Sequence, residues 1–430
     1  MINPLATELN SVLEGTIADR LMSGLGKRMY FPKGIIAQAA EAKKSAYTAN
    51  ATIGMAYSNN KPLILSAIAE SMPALTPEQI VAYAPTAGIE TVRQAWKKHI
   101  MENNPSLNDE DISLPMVTGG LTSGLSLLAE LFMAENQTMI TSDPCWDNYT
   151  LMFAERRGGI LRELPFLGRG PGLDMDAIAR TVKEEAAKGS VRIVLNFPNN
   201  PAGYSPTTTE AQELAALFLK TAEGGTDILI LCDDAYFGLL YEDNVYRESV
   251  FSLFANLHPN ILAVKIDGPI KEDYVWGLRT GFVTFGSKGL NEKHYAALTT
   301  KFMGSIRSSI SCANTPAQYI MLKSMEDSRT AKEKASFKGM MQRRYNKVKE
   351  FINSNPAHPK LKPLPFNSGY FMSFHCMGIS AEKLRMTLLD SHGIGLVAFG
   401  DTTIRAAYSA LDEEQIIPVY RAIYDCADRL

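Results

Sequence analysis

Between about residues 110 and 290 the chain alternates short β-branched runs with amphipathic stretches, the pattern of a parallel sheet carrying helices on its faces. The strand candidates are TMITSD (138–143), VRIVLNFP (191–198), DILILCDD (227–234), LAVKIDG (262–268) and GFVTFG (281–286). Most are continuous apolar runs, as expected of strands buried on both faces. SPTTTEAQELAALFLKTAEGG, between the second and third, has Ser and Thr capping candidates, a Glu in its first turn and a Gly-Gly stop, and reads as a crossover helix. After about residue 330 the pattern turns basic and helical (RTAKEKASFKGMMQRRYNKVKEFINSN). It then passes through NSGYFMSFH to a terminal strand and helix around TTIRAAYSALDEEQIIPVYRAIYDCADRL. The N-terminal segment also lies outside the alternation. The expected architecture is α/β, with a large unit over 61–319 and a smaller α+β unit built from both chain ends, 1–60 and 320–430.

Composition narrows the function classes. The 430 residues are 46% hydrophobic and 21% charged, ordinary values for a chain with a large core. A formal net charge of −3 gives no general attraction to nucleic acid or to anionic membranes, so small-molecule chemistry is the expectation. Cys145, Cys232, Cys312, Cys376 and Cys426 show no C-x-x-C spacing, and the six histidines no H-x-x-x-H or H-E-x-x-H spacing. Neither a metal site nor a disulfide framework is expected, and a reducing cytoplasm is the simplest setting. MINPLATELNSVLEGT has acidic and polar residues where a signal peptide needs a basic patch and an apolar core. No run reaches the ~18 apolar residues of a membrane span.

Chemistry gathers at the strand ends. In open α/β sheets ligands collect beyond the carboxyl ends of the strands, and here those ends read DPCW, NFPNNPAG, DDAY and DGPIK. VTGGLTSGLSLLAELFMAE places a glycine pair directly before an amphipathic helix, an arrangement that favours a phosphate. It lacks the G-K-[ST] ending of a nucleotide P-loop, and there is no G-x-G-x-x-G. Taken singly, Trp146 could be core, Asn200 a turn residue before Pro201, Asp233 a helix cap, Tyr236 packing, and Lys271 and Arg279 loop charges. Together they are what a pyridine aldehyde phosphate needs: an aromatic on the ring, an acid at the ring nitrogen, hydrogen-bonding groups at its hydroxyl, an amine, and an arginine for the phosphate.

These pieces, with YAPTAGIETVRQAW, TGGLTSG, PCWDNY, NFPNNPAGYSPT, DDAYFG, IKEDYVWGLRTGF, IRSSIS and TTIRAAYS, resemble the fold-type I pyridoxal-phosphate aminotransferases of class I/II, with the aspartate aminotransferases nearest. The resemblance runs from about Ala51 to Ser409. It implies a large domain with a mostly parallel sheet of the seven-stranded type between helices, plus a smaller α+β domain. It also implies Lys271 as the Schiff-base lysine and Asp233 at the pyridine nitrogen. Asn200 and Tyr236 would lie at the ring hydroxyl and Trp146 against the ring, with Asn200 and Trp146 also bordering the substrate. Gly120, Leu121 and Thr122 would contact the phosphate, with Arg279 as its counter-charge and Tyr83 reaching it from a second subunit of a homodimer. Arg405 would bind the substrate α-carboxylate, and Arg307, four residues before Ser311, a side-chain carboxylate across the subunit boundary. The implied activity is ping-pong transfer of an amino group, from aspartate by preference or from aromatic amino acids, to a 2-oxo acid such as 2-oxoglutarate. A lyase or decarboxylase on the same scaffold, or a cofactor-binding regulator domain, would retain the same lysine. Two departures stand out: Gly268 and Ile270 occupy positions where the family usually has hydroxyl residues, and TIGMAYSNNKPL, with Met55 and Tyr57, differs from the usual glycine-rich entry strand.

Overall fold

The computed structural model describes residues 2–14, 28, 35–52, 54–59, 61–71, 74–167, 170, 172–355 and 357–430. The elements that build the site are, in chain order, α1 (Glu90–Asn103), β1 (Met116–Thr118), α2 (Leu121–Phe132), β2 (Thr138–Ser142), β3 (Ile160–Leu164), β4 (Ser190–Asn196), α3 (Thr208–Glu223), β5 (Asp227–Asp233), β6 (Ile261–Asp267) and β7 (Gly281–Gly286). They are followed by α4 (Glu292–Ser309), α5 (Thr315–Glu326), α6 (Thr330–Ser354), β8 (Leu361–Pro363), β9 (Phe371–Cys376), β10 (Val397–Phe399), β11 (Thr403–Ala407) and α7 (Glu413–Arg429).

The seven strands β1 to β7 form one sheet in the order β1-β7-β6-β5-β4-β2-β3. Side chains alternate across it and separate two cores. Ile193, Leu195, Ile230, Cys232 and Ala263 point to one face, and Val194, Leu231, Val264 and Ile266 to the other. With helices on both faces, these strands read as unbroken apolar runs. Capping decides where the crossover helix begins: the Thr207 side chain accepts from the Glu210 amide while the Glu210 side chain returns to Thr207.

β7 is antiparallel to both β1 and β6, a reversal that its apolar run GFVTFG does not disclose. β3, ILREL, was absent from the strand candidates because polar residues interrupt it, as befits a sheet edge. Register levels the ends that matter: Asn196 is opposite Asp233, and Asp233 opposite Ile266.

A second, antiparallel sheet of four strands runs β8-β9-β11-β10. α7 lies against it, with Phe374 of β9 meeting Tyr420 at 6.2 Å between ring centroids, and α6 packs on α7, where Phe351 meets Tyr420 at 5.9 Å. Ala49–Asn50 pairs in parallel with Ile394–Gly395, tying an early segment to the C-terminal part. Among the described residues, no helix is long and apolar enough to cross a membrane.

Candidate active site

The ends of β4, β5 and β6, the start of α2, and β9 and β11 of the second sheet meet around a cavity of about 250 Å³. Leu121, Thr122, Trp146, Asn200, Asp233, Tyr236, Lys271, Arg279 and Arg405 line it, together with Gly54, Asn196, Ala235, Ile270 and Phe371.

Lys271 does not end a strand, as its position after LAVKIDG suggested. It sits in a short helical turn, Pro269–Glu272, after β6. Burial, with the nearby Arg279 charge, outweighs Asp233 and brings its ammonium down to about 8. Its Nζ lies 4.6 Å from the Tyr236 ring centroid. The residue before this turn explains one departure from the family pattern. A Cβ on Gly268 would stand 2.8 Å from the Thr280 carbonyl oxygen, so no hydroxyl side chain fits there.

Asp233 is buried, and burial pushes its carboxyl above the ordinary range against the pull of the Tyr149 hydroxyl, Lys271 and the Ala235 amide. The Tyr149 hydroxyl donates to Asp233 Oδ2 at 2.6 Å. Tyr149 escaped the sequence reading although it ends the PCWDNY stretch. Only the turn before the wide helical segment 150–155 brings it beneath β5. The Asn196 amide donates to the Asp233 carbonyl at 2.9 Å, and its oxygen accepts from the Asn200 amide at 2.8 Å, so β4 carries the shape of the loop that follows it.

Gly120 precedes α2 with φ +89°, and a Cβ there would meet Arg279 Nη2 at 2.6 Å; backbone and space both require glycine. No side chain caps this helix, which leaves the N–H groups of its first turn beside the Arg279 guanidinium.

Arg405, on β11, is fully buried. Nη1 donates to Asn200 Oδ1 at 2.7 Å and Nη2 to the Thr52 carbonyl at 2.8 Å, with the guanidinium 4.1 Å from the Phe371 ring centroid. Its Nε has no partner among the described residues. Burial brings the guanidinium down to about 10. The entry segment is fastened from the same side: the Ser409 hydroxyl donates to the Met55 carbonyl at 2.9 Å, and Arg344 Nη2 to the Tyr57 carbonyl at 2.6 Å.

Three expected site residues do not line the cavity: Gly120, which abuts Arg279 at its edge, Tyr83 and Arg307. Tyr83 is 91% exposed, and Arg307, exposed near the end of α4, donates to the Ser311 hydroxyl. Ile310, three residues after Arg307, packs 3.5 Å from the position of a Cβ on Gly119, and the carbonyl of Ala82, next to Tyr83, accepts from Thr315 Oγ1.

The family model for aminotransferase class I and II matches residues 52–423. The "Probable aspartate/prephenate aminotransferase" of Aquifex aeolicus is 26% identical over 354 residues, covering 79% of this chain and 82% of that protein. The aspartate aminotransferase of Pyrococcus horikoshii is 26% identical over 346 residues, 78% of this chain and 80% of its own. The fold is shared with a solved aminotransferase from Anaerococcus prevotii, with a TM-score of 0.82 at 21% identity over 93% of this chain and 97% of that one. The chain belongs to the class I and II aminotransferases, enzymes that transfer amino groups between amino acids and 2-oxo acids.

Proposed function

We propose that this aminotransferase works with pyridoxal 5′-phosphate, takes aspartate as its preferred amino donor with aromatic amino acids as further donors, and passes the amino group to a 2-oxo acid such as 2-oxoglutarate in ping-pong order. The observation that carries the reading is one small cavity lined by a half-buried amine, a buried acid and a buried guanidinium: Lys271, Asp233 and Arg405. The residues fit that cofactor. A carboxyl that burial makes costly to ionise favours a cationic partner such as a pyridinium N–H. The uncapped start of α2 and Arg279 suit a phosphate.

When bound, the cofactor would supply a ring into which the electron pair at the amino acid's Cα can delocalise. Lys271 would hold its aldehyde carbon, Trp146 would lie against its ring, and Asn200 and Tyr236 would face its hydroxyl. With its ammonium brought down to about 8, Lys271 is able to accept and return the Cα proton near neutrality. Arg405 would grip the α-carboxylate with its planar fork and so fix which bond of Cα faces Lys271.

A homodimer completes the reading, with Tyr83 reaching the phosphate and Arg307 an ω-carboxylate in the neighbouring subunit. The exposed apolar side chains Val81 (78%), Ile80 (49%) and Ile310 (45%) support a covered face there. In this reading segments 1–60 and 320–430 form the smaller unit. Free cysteines, four of them buried, suit a reducing cytoplasm.

The test is borohydride reduction of the protein loaded with pyridoxal phosphate, followed by peptide mapping, beside an assay of aspartate with 2-oxoglutarate. The pyridoxyl label is expected on Lys271, and glutamate and oxaloacetate as products. A label on another lysine, or near-wild-type turnover by Lys271→Ala, would overturn the assignment.

A further inference from the structure

Lys271 projects from a turn of only four residues, Pro269–Glu272, which cannot hold itself as an isolated helix. Its local bonds are few: the Asp273 amide to the Pro269 carbonyl at 2.8 Å and the Val275 amide to the Ile270 carbonyl at 3.1 Å. From the second sheet, the Tyr370 hydroxyl donates to the Lys271 carbonyl at 3.1 Å.

The next two side chains leave the active-site cavity and enter a different cluster, at the edge of a separate cavity of about 710 Å³. There Lys334 Nζ, on α6, lies 2.7 Å from Glu272 Oε1 and 2.6 Å from Asp273 Oδ1. His99 Nε2, on α1, lies 3.1 Å from the same Glu272 oxygen. Burial opposes the charge on Lys334, but the two carboxylates outweigh it and keep the ammonium well above its ordinary value.

The backbone beyond is strained. Tyr274 at φ 58° and Arg279 at φ 52° are two of the five non-glycine residues with positive φ among the described residues. A left-handed bulky residue persists only where its surroundings over-determine it. For Tyr274 the surroundings are again α6: its ring meets that of Phe337 edge-on at 5.0 Å between centroids, one turn beyond Lys334.

We propose that Lys334 is a positioning residue for Lys271: by drawing Glu272 and Asp273 onto α6, it fixes the turn from which the amine reaches the cofactor site. This rests on the reading of Lys271 as the residue that holds pyridoxal phosphate. Without the ammonium, the buried Asp273 and the half-buried Glu272 lose their shared countercharge, and the cheapest relief is for the turn to swing them toward water. That movement carries Lys271 with it and leaves the start of α2, at Gly120, in place.

The experiment compares two ligands on the full chain freed of cofactor. Pyridoxal phosphate needs Lys271 for covalent capture, followed by its visible absorbance; pyridoxamine phosphate has no aldehyde and reports the rest of the site. In Lys334→Met, capture is expected to slow by about tenfold or more, as for a displaced reacting group. Pyridoxamine phosphate affinity should stay within about twofold, and Lys334→Arg should recover most of the rate. Glu272→Gln, which weakens one leg of the clamp, should show a smaller slowing with the same split and serves if Lys334→Met does not fold. Wild-type capture rates in these variants, or equal losses for both ligands, would overturn the proposal. Capture on a lysine other than Lys271 in the unaltered protein would instead remove the reading on which it rests.

Discussion

Replacing Tyr149 by phenylalanine isolates the hydrogen bond that makes Asp233 usable. The ring's neighbours, Trp146 at 5.6 Å and Phe153 at 5.9 Å between centroids, remain in place, so the difference reports the hydroxyl. A hydrogen bond to a charged acceptor contributes about 1.5–3 kcal/mol. Burial already holds Asp233 above its unfolded value, and the Tyr149 bond at 2.6 Å opposes that shift. The variant's carboxyl therefore titrates higher still. A carboxyl with a raised folded pKa contributes stability below its unfolded value of about 4 and loses it as pH rises through the folded value. The loss should be larger in Tyr149→Phe by about 1.5–3 kcal/mol, approached only above the folded value of Asp233. Urea unfolding of the cofactor-free proteins at a series of pH values from 4 to 9 measures this. The two stabilities should lie close together at the acid end and separate with rising pH. A gap independent of pH, or no gap, would refute the coupling of this hydroxyl to the charge on Asp233.

Three further outcomes are expected. Because burial brings Lys271 to about 8, the rate of pyridoxal phosphate capture should rise with pH up to about 8 and level off above it; a midpoint near that of a free lysine would contradict the burial argument. Arg405→Lys cannot reproduce the fork that meets Asn200 and Thr52, so kcat/KM for aspartate and for phenylalanine should fall together by roughly tenfold or more, whereas loss for one donor alone would deny it the α-carboxylate. Arg307→Leu should lower kcat/KM for aspartate by at least ~100-fold, about 3 kcal/mol for a charge-assisted pair, and spare aromatic donors. An untouched aspartate rate would exclude Arg307 from the substrate pocket.

Much of this architecture is legible in the sequence because strands buried on both faces announce themselves as apolar runs, and their polar ends stand out against them. Asn200, Asp233, Tyr236 and Lys271 were singled out on that contrast, and the structure gathers them around one cavity. What escaped depends on contacts distant in the chain. Tyr149 looks like any helical tyrosine until β5 is laid over it, and Lys334 lies in a basic helical run where surface and buried lysines share one pattern. The direction of β7 is hidden for a similar reason, since an apolar run reads alike in either orientation. Gly268 was visible only as a deviation; the Thr280 carbonyl that excludes a side chain there lies just before β7, the strand opposite.

The setting of Arg405 also bears on the heat of substrate binding. Held by Asn200 at one nitrogen and Thr52 at another, and stacked on Phe371, it has already lost the rotamer freedom that an arginine on a free surface would lose on meeting a carboxylate. That ordering costs about 0.5–1.5 kcal/mol for a side chain immobilised at the moment of binding. Here it was spent when the chain folded. In a calorimeter, the carboxylate contact should thus register as enthalpy gained with little opposing side-chain entropy, and a donor lacking the carboxylate should forfeit that enthalpy without recovering entropy in return.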